Sequence, residues 1–252
     1  MTILGYSLAL VIGLSLGMLG GGGSILTVPL FVYVLGYDPK LAIAMSFPVV
    51  GVTSLFGALR QWRAGNIRFS KAFFFGFFAM TSAFFVGRAA RVIDGQVRLT
   101  ILAVVMLLAA ASMLRSASRD VIRPVDDDAT PAWLTLALVG LGVGALTGLV
   151  GIGGGFLIVP ALVLFGRMQM KEAVGTSMLV IAMNCAGGFL GQQSSASIPW
   201  SFVITFVAIA MVGLVAGTRL ANKVDQRTLK RVLAVLLILI ASFQIWQSRS
   251  LL

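Results

Sequence analysis

The apolar residues of this chain fall into blocks of about 15 to 20, the length a helix needs to cross roughly 30 Å of hydrocarbon. Lipid offers no partner for a backbone N–H or C=O, so a spanning segment must bond internally, as a helix or a closed barrel. The blocks are continuous rather than alternating, which selects helices. Hydrophobic residues make up 59% of the 252 and charged residues only 11%. Soluble domains carry about a quarter charged residues. The first apolar stretch, from Ile3, has no basic n-region and no small-residue cleavage site, so it is expected to be mature structure rather than a signal peptide.

The net charge of +11 raises the question of nucleic acid. Lys and Arg sit between the apolar blocks, however, as the positive-inside bias produces, and do not gather on one folded face. No nucleic-acid partner is expected. Histidine is absent, which removes the commonest metal ligand and the usual general base near neutral pH. The lone cysteine, Cys185, lies inside an apolar block, can form no intrachain disulfide and reads as a packing residue. With no Gly-x-Ser-x-Gly elbow and no metal-ligand cluster either, the chain is not expected to be an enzyme or to carry a cofactor.

Shifting the chain on itself by 131 residues brings Gly17 onto Gly148, Gly20 onto Gly151, and Gly22 and Gly23 onto Gly153 and Gly154. At the same shift, without a gap, Val28 and Pro29 meet Val159 and Pro160, Ala42 meets Ala173, and Ser46 meets Ser177. Gly57, Gln61 and Asp94 meet Gly188, Gln192 and Asp225. Apolar residues align by chance, but a Gly cluster, a Pro, a Ser, a Gln and an Asp at one shift do not. The chain is two copies of one unit.

Each copy reads as five apolar segments, near 3–19, 24–36, 41–59, 72–87 and 99–114, then 133–150, 156–166, 173–190, 202–217 and 232–247. The second segment of each set, about 12 residues, is too short to span. Only glycines join it to the first, Gly20 to Gly23 and Gly151 to Gly155. The expected fold is an all-α integral membrane protein of two repeats, residues 1–114 and 132–252. Each repeat is a re-entrant or broken-helix hairpin followed by three transmembrane helices. Residues 115–131, with Arg119, Pro124 and the acids Asp126 to Asp128, read as a solvated cytoplasmic linker.

The loop with Arg60, Arg63, Arg68 and Lys71 is strongly basic, whereas its mate from Gly191 to Ser201 carries no charge. The loop with Arg219, Lys223, Arg227, Lys230 and Arg231 outweighs its mate with Arg88, Arg91 and Arg98. Opposite bias in equivalent loops predicts opposite sides of the membrane, and hence inverted repeats. If each hairpin returns to its own side, 14 Lys and Arg fall inside and 5 outside; if each were a single crossing, the split would be 11 to 8. The larger asymmetry favours inversion. The expected location is the bacterial inner membrane, with multiple passes.

Gly-rich backbone at membrane depth, followed by a short helix, is the strongest local signal. Such backbone is tolerated in a bilayer chiefly beside protein or a polar cavity. Inverted-repeat transporters place substrate near the midplane, against the starts of broken helices, whose partial positive charge favours anions. Gly22, Gly23 and Ser24, with Gly153, Gly154 and Gly155, are therefore candidate substrate-binding positions. The bland alternative is a tight turn between packed helices. A nucleotide loop is excluded, because neither cluster continues into Gly-Lys-Ser/Thr and Phe156 stands where a third dinucleotide glycine is required. Gly13, Gly17, Gly140, Gly144 and Gly148 show small-xxx-small spacing, which predicts close packing within the monomer. A homodimer through these faces is the alternative.

The third segments carry Ser46, Thr53, Ser54 and Gln61 in one copy and Thr176, Ser177, Asn184, Gln192 and Gln193 in the other. Ser46 and Ser54 are eight residues apart, as are Thr176 and Asn184, so each pair lies near one helical face. Neutral donors suit an anion that must be released again, since a fixed buried charge is costly and holds tightly. A lone Ser or Thr can instead bond its own helix backbone. Ser46, Thr176, Ser177, Asn184 and Gln192 join the candidate set. No charged residue is expected clearly within a spanning core; Arg60, Arg88, Arg219 and Glu172 sit at segment ends.

The run GLVGIGGGFLIVP from Gly148 to Pro160, followed by Ala173 to Ser177 (AVGTS), resembles the TauE/SafE family of membrane transport proteins. The first copy, GMLGGGGSILTVP from Gly17 to Pro29 with Ala42 to Ser46 (AIAMS), is similar but looser: Gly21 replaces the Ile, Ser24 the last Gly and Met45 the Thr. The resemblance implies a transporter of sulfite or small organosulfonates such as sulfoacetate, usually an exporter. The expected function is thus a secondary exporter of a small anion, working in the lipid bilayer by alternating access. A passive anion channel, or a carrier of an unrelated small anion, is the rival reading.

Overall fold

The computed structural model describes residues 2–117, 133–150, 154–192 and 198–221, with positions 235, 238, 239, 241 and 242. Every regular element among them is helical. Helix α1 (Thr2–Leu19) turns through Gly20 and Gly21 into a composite helix, α2. This begins as a 3₁₀ turn (Gly22–Leu26), makes one α turn (Thr27–Pro29) and ends as a π turn (Leu30–Val34). Pro29 has no N–H to give the Ile25 carbonyl. Beyond it the bonding slips by one residue, and the Leu35 N–H donates to the Leu30 carbonyl at 3.1 Å.

Three long helices follow: α3 (Pro39–Arg63), α4 (Phe69–Ala89, with a 3₁₀ turn at Ala90–Val92) and α5 (Gly95–Ala117). Pro39 opens α3 and the Asp38 carboxylate caps it, accepting the N–H groups of Lys40 and Leu41. The second copy supplies α6 (Trp133–Val150), α7 (Gly155–Leu164), α8 (Met170–Gly191) and α9 (Trp200–Ala221). Ten residues give α7 a length of about 15 Å, half of what the bilayer requires. Residues 115–117, expected in the linker, prolong α5 instead. The remaining linker and nearly all of the last segment, 232–247, lie outside the described residues.

Among the described residues, five helices are long and apolar enough to cross a membrane: Pro39–Arg63, Phe69–Val92, Trp133–Val150, Lys171–Gly191 and Trp200–Leu220. Burial separates them. α3 is 67% buried over its apolar window and α8 61%, whereas α4 is only 28% buried. The first two form the centre, and α4 turns Phe73, Phe77 and Phe85 outwards.

Glycines set the packing, and their neighbours fix the directions. Gly13 and Gly17 of α1 rest on the backbone of Ala210 and Leu214, so α1 runs parallel to α9. Gly144 and Gly148 of α6 rest on Ala79 and Ala83, so α6 runs parallel to α4. These pairs are each other's equivalents at the 131-residue shift, and they use the small-residue faces inside the monomer. In the centre, Gly188 meets Phe47, Gly51 meets Cys185 and Gly57 meets Met178. α3 and α8, equivalent helices of the two copies, therefore run antiparallel.

The hairpins open at opposite ends. At one end Gly5 of α1 faces Leu35 and Phe202, and Tyr37 packs on Phe202 at 5.8 Å, beside the start of α9. At the other, Trp133 stacks edge-on against Phe74 at 4.7 Å, and the Lys71 ammonium donates to the Gly166 carbonyl at 2.7 Å, beside the start of α4.

Candidate functional site

The hairpin tips meet halfway along α8. One stripe of that helix, Val174, Ser177, Ile181 and Asn184, is spaced at three and four residues and so lies on one face. Each of the four touches a tip. Val174 packs against Gly20, and the Ser177 hydroxyl donates to the Gly20 carbonyl at 2.6 Å, sharing its hydrogen with the Val174 carbonyl at 2.8 Å. The Ile181 methyl lies beside both Gly21 and Gly155. The Asn184 Nδ2 donates to the Thr147 hydroxyl at 2.9 Å, and Thr147 donates in turn to the Val143 carbonyl at 2.9 Å.

Gly21 and Gly155 stack backbone on backbone. A Cβ on Gly155 would stand 2.5 Å from the Gly21 oxygen, and one on Gly21 would stand 2.7 Å from the Gly155 Cα. Gly21, at φ +147°, and Gly154, at φ +69°, adopt backbone that L side chains rarely enter. The tips are thus glycine for two reasons, the turn and the close approach. Gly154 precedes α7 without any side-chain cap, so the first N–H groups of α7 lie at this crossing.

The structure gathers some of the expected residues and separates others. Ser177, Asn184, Gly154 and Gly155 meet at the crossing. Ser24 is buried nearby with its hydroxyl donating to Gly21, and Gly23 packs against Ile12 and Leu16 inside its own hairpin, with Gly22 opening the 3₁₀ turn before it. Gly153 lies outside the described residues. Ser46 is fully buried on α3 and donates to the Ile43 carbonyl at 2.7 Å. Thr176 accepts the Arg68 N–H at 3.1 Å and so secures the loop between α3 and α4. Gln192 follows the end of α8, about 16 Å along the axis from Ile181. It is 5% exposed and its Oε1 has no partner.

Counting protons shows what remains for a ligand. The hydroxyls of Ser24, Ser46, Thr53, Thr147 and Ser177 all donate to backbone carbonyls. Among the described residues, the buried hydroxyls of Thr27 and Ser54 have no partner, nor has the Asn184 Oδ1. Ser54 lies between Gly51 and Gly57 on α3, which face Cys185 and Met178, at the depth of Ile181. Thr27 and Thr147 carried no signal in the sequence beyond proximity to the glycine runs. Arg98, counted there as a loop cation, is 1% exposed. The periodicity of Leu99, Leu102, Ala103 and Met106 extended one turn back would have placed it on a buried face. A cavity of about 500 Å³ lined by Phe74, Phe78 and Trp133 belongs to the aromatic outer face, away from the crossing.

The family model described as "Sulfite exporter TauE/SafE" matches residues 6–243. The chain belongs to the TauE/SafE family. It is 31% identical over 241 residues to a "Probable membrane transporter protein" of Xylella fastidiosa strain Temecula1, covering 94% of this chain and 92% of that protein. It is 30% identical over 261 residues to the "Probable membrane transporter protein YunE" of Bacillus subtilis, covering 95% and 96%. No solved structure matches. This TauE/SafE protein is a membrane transporter with multiple spans.

At the basic end of the TauE/SafE fold, Arg68 also pairs with Glu172 at 2.7 Å, and Lys71 binds Gly166. Thr176→Val removes the acceptor of the part-buried Arg68 N–H from this clamp. It is expected to cost about 1 kcal/mol, a shift of a few degrees in thermal unfolding of the detergent-solubilised protein. An unchanged midpoint would mean that the loop is held without it.

Proposed function

We propose that the protein exports small anions, sulfite or an organosulfonate such as sulfoacetate, by alternating access between two repeats of inverted topology. The antiparallel course of the equivalent helices α3 and α8, and the opening of the hairpins at opposite ends, support inversion. The end with Arg63, Arg68, Lys71 and Arg167 is cytoplasmic on this reading.

The observation that carries the proposal is the crossing itself. The uncapped start of α7 faces Gly21 at mid-bundle, beside Asn184 and at the depth of the unspent Ser54 hydroxyl. In this geometry the glycines are closed on each other. Rocking one repeat against the other would part them and give an anion the first N–H groups of α7. A half-turn of the Asn184 amide would add its Nδ2, and Ser54 a hydroxyl. Ser177, which ties the first tip to α8 through Gly20, would hold the two faces in register. The sulfur chemistry rests on the family description and on the fit of neutral donors to an oxyanion that must leave again.

Purified protein in liposomes preloaded with unlabelled sulfite should accumulate labelled sulfite transiently against its gradient, with saturable initial rates. Sulfoacetate should compete. Flux that rises linearly with concentration and shows no counterflow, or large single-channel currents, would replace the carrier by a pore.

A further inference from the structure

Arg98 is 1% exposed, in the first turn of α5, and its Nε and Nη1 have no hydrogen-bond partner. It lies on the interior face of the helix, in register with the buried Leu99, Leu102, Ala103 and Met106. A guanidinium cannot shed its proton in a protein. Its burial therefore leaves a full charge and two donors uncompensated, which folded proteins and bilayers both penalise unless something polar completes the site.

Among the described residues no carboxylate does so. Asp94, one turn earlier, is exposed and makes no ion pair among the described residues. Asp38 lies next to Pro39, against which Gly95 packs, but it is exposed and its Oδ1 is occupied by the N–H groups of Lys40 and Leu41. The ion pair of Arg68 with Glu172 belongs to the opposite end of the molecule.

We propose that Arg98 binds an oxyanion, namely the sulfite or sulfonate group of the carried anion at the end where α3 and α5 begin. The identity of the anion rests on the export reading; the presence of an oxyanion site does not. α3 and α5 run parallel from the contact of Gly95 with Pro39. By helical rise, Arg98 stands about 5 Å inside that contact and Ser46 about 10 Å inside it. The fixed cation thus stands nearer that end than the neutral polar groups of α3. On the export reading this end is the exit, so an anion that has left the neutral groups deeper in the bundle meets the fixed cation last, before release. A phospholipid phosphate offers the same chemistry, and the experiment separates the two sources.

Wild type, Arg98→Met and Arg98→Lys are reconstituted in phosphatidylcholine nanodiscs and titrated with sulfite, sulfoacetate and inorganic phosphate, each followed by thermal unfolding. The readout is the anion-dependent rise in midpoint, so any change in basal stability cancels. Wild type should rise with sulfite, Arg98→Met should need about tenfold more anion or show no rise, and Arg98→Lys should fall between them. Equal rises in wild type and Arg98→Met, or none in wild type, would overturn the proposal. If phosphatidylglycerol in the nanodisc removes the sulfite effect and native mass spectrometry finds that lipid on wild type but not on Arg98→Met, the oxyanion is a headgroup and the assignment to the carried anion is overturned. Absent counterflow with an intact, Arg98-dependent rise would sink the export reading and leave the oxyanion site standing.

Discussion

Gly155→Ala is expected to abolish transport and to cost about 3 kcal/mol or more of stability. Its new methyl would stand 2.5 Å from the Gly21 oxygen, 2.6 Å from the Gly21 Cα and 2.7 Å from the Ile181 Cδ1. Two of the three obstacles are backbone, which cannot step aside as a flexible side chain can, so the tips must separate or the hairpin must shift. Gly21→Ala meets the same crossing from the other side and adds about 1–3 kcal/mol of backbone strain at φ +147°. Gly142→Ala is the control: exposed on α6, with nothing within 4 Å of the added methyl. Thermal unfolding in detergent and sulfite counterflow in liposomes measure both effects. A Gly155→Ala protein as stable and as active as Gly142→Ala would show that the crossing is looser than its geometry.

Asn184→Leu is expected to lower sulfite flux by more than about tenfold with little change in stability. The two halves of that expectation have separate causes. Leucine removes one interhelical hydrogen bond to Thr147, worth about 0.6–2 kcal/mol in a membrane, but it also removes a buried Oδ1 that has no partner. The two terms oppose each other. Transport has no such offset, because the side chain beside the α7 start loses every polar atom, and tenfold corresponds to about 1.4 kcal/mol, the scale of one such contact. Ser177→Ala should reduce flux less, since it loosens the tie to Gly20 without emptying the site. Unchanged flux in Asn184→Leu, with counterflow intact, would take the start of α7 out of the anion's path.

Much of the helical architecture was legible beforehand, and the reason is the solvent. A bilayer permits few structures, so block length alone placed α3, α4, α8 and α9 within a few residues of their ends. The glycine spacing announced the contacts of Gly13, Gly17, Gly144 and Gly148, because only missing side chains let backbones approach so closely. Polar residues were harder. Thr176 and Ser177 are neighbours in sequence, yet one secures the Arg68 loop and the other the Gly20 carbonyl, because adjacent positions on a helix point about 100° apart. Periodicity tells which residues share a face and leaves open which neighbour that face meets.

Sequence alone determined that the chain is helical and membrane-spanning and carries the TauE/SafE motif, and it led us to expect a doubled unit with a glycine-broken hairpin in each half. These follow from composition, period and motif, which are local properties that lipid reads directly. Tertiary structure decided that the two tips meet on the Ile181 face of α8, that most hydroxyls there are already spent on carbonyls, and that Arg98 faces inwards with its Nε and Nη1 unpartnered among the described residues. A hydrogen bond such as that of Ser177 to Gly20 spans 157 positions of chain. Whether a donor is free or occupied depends on atoms brought together only by folding.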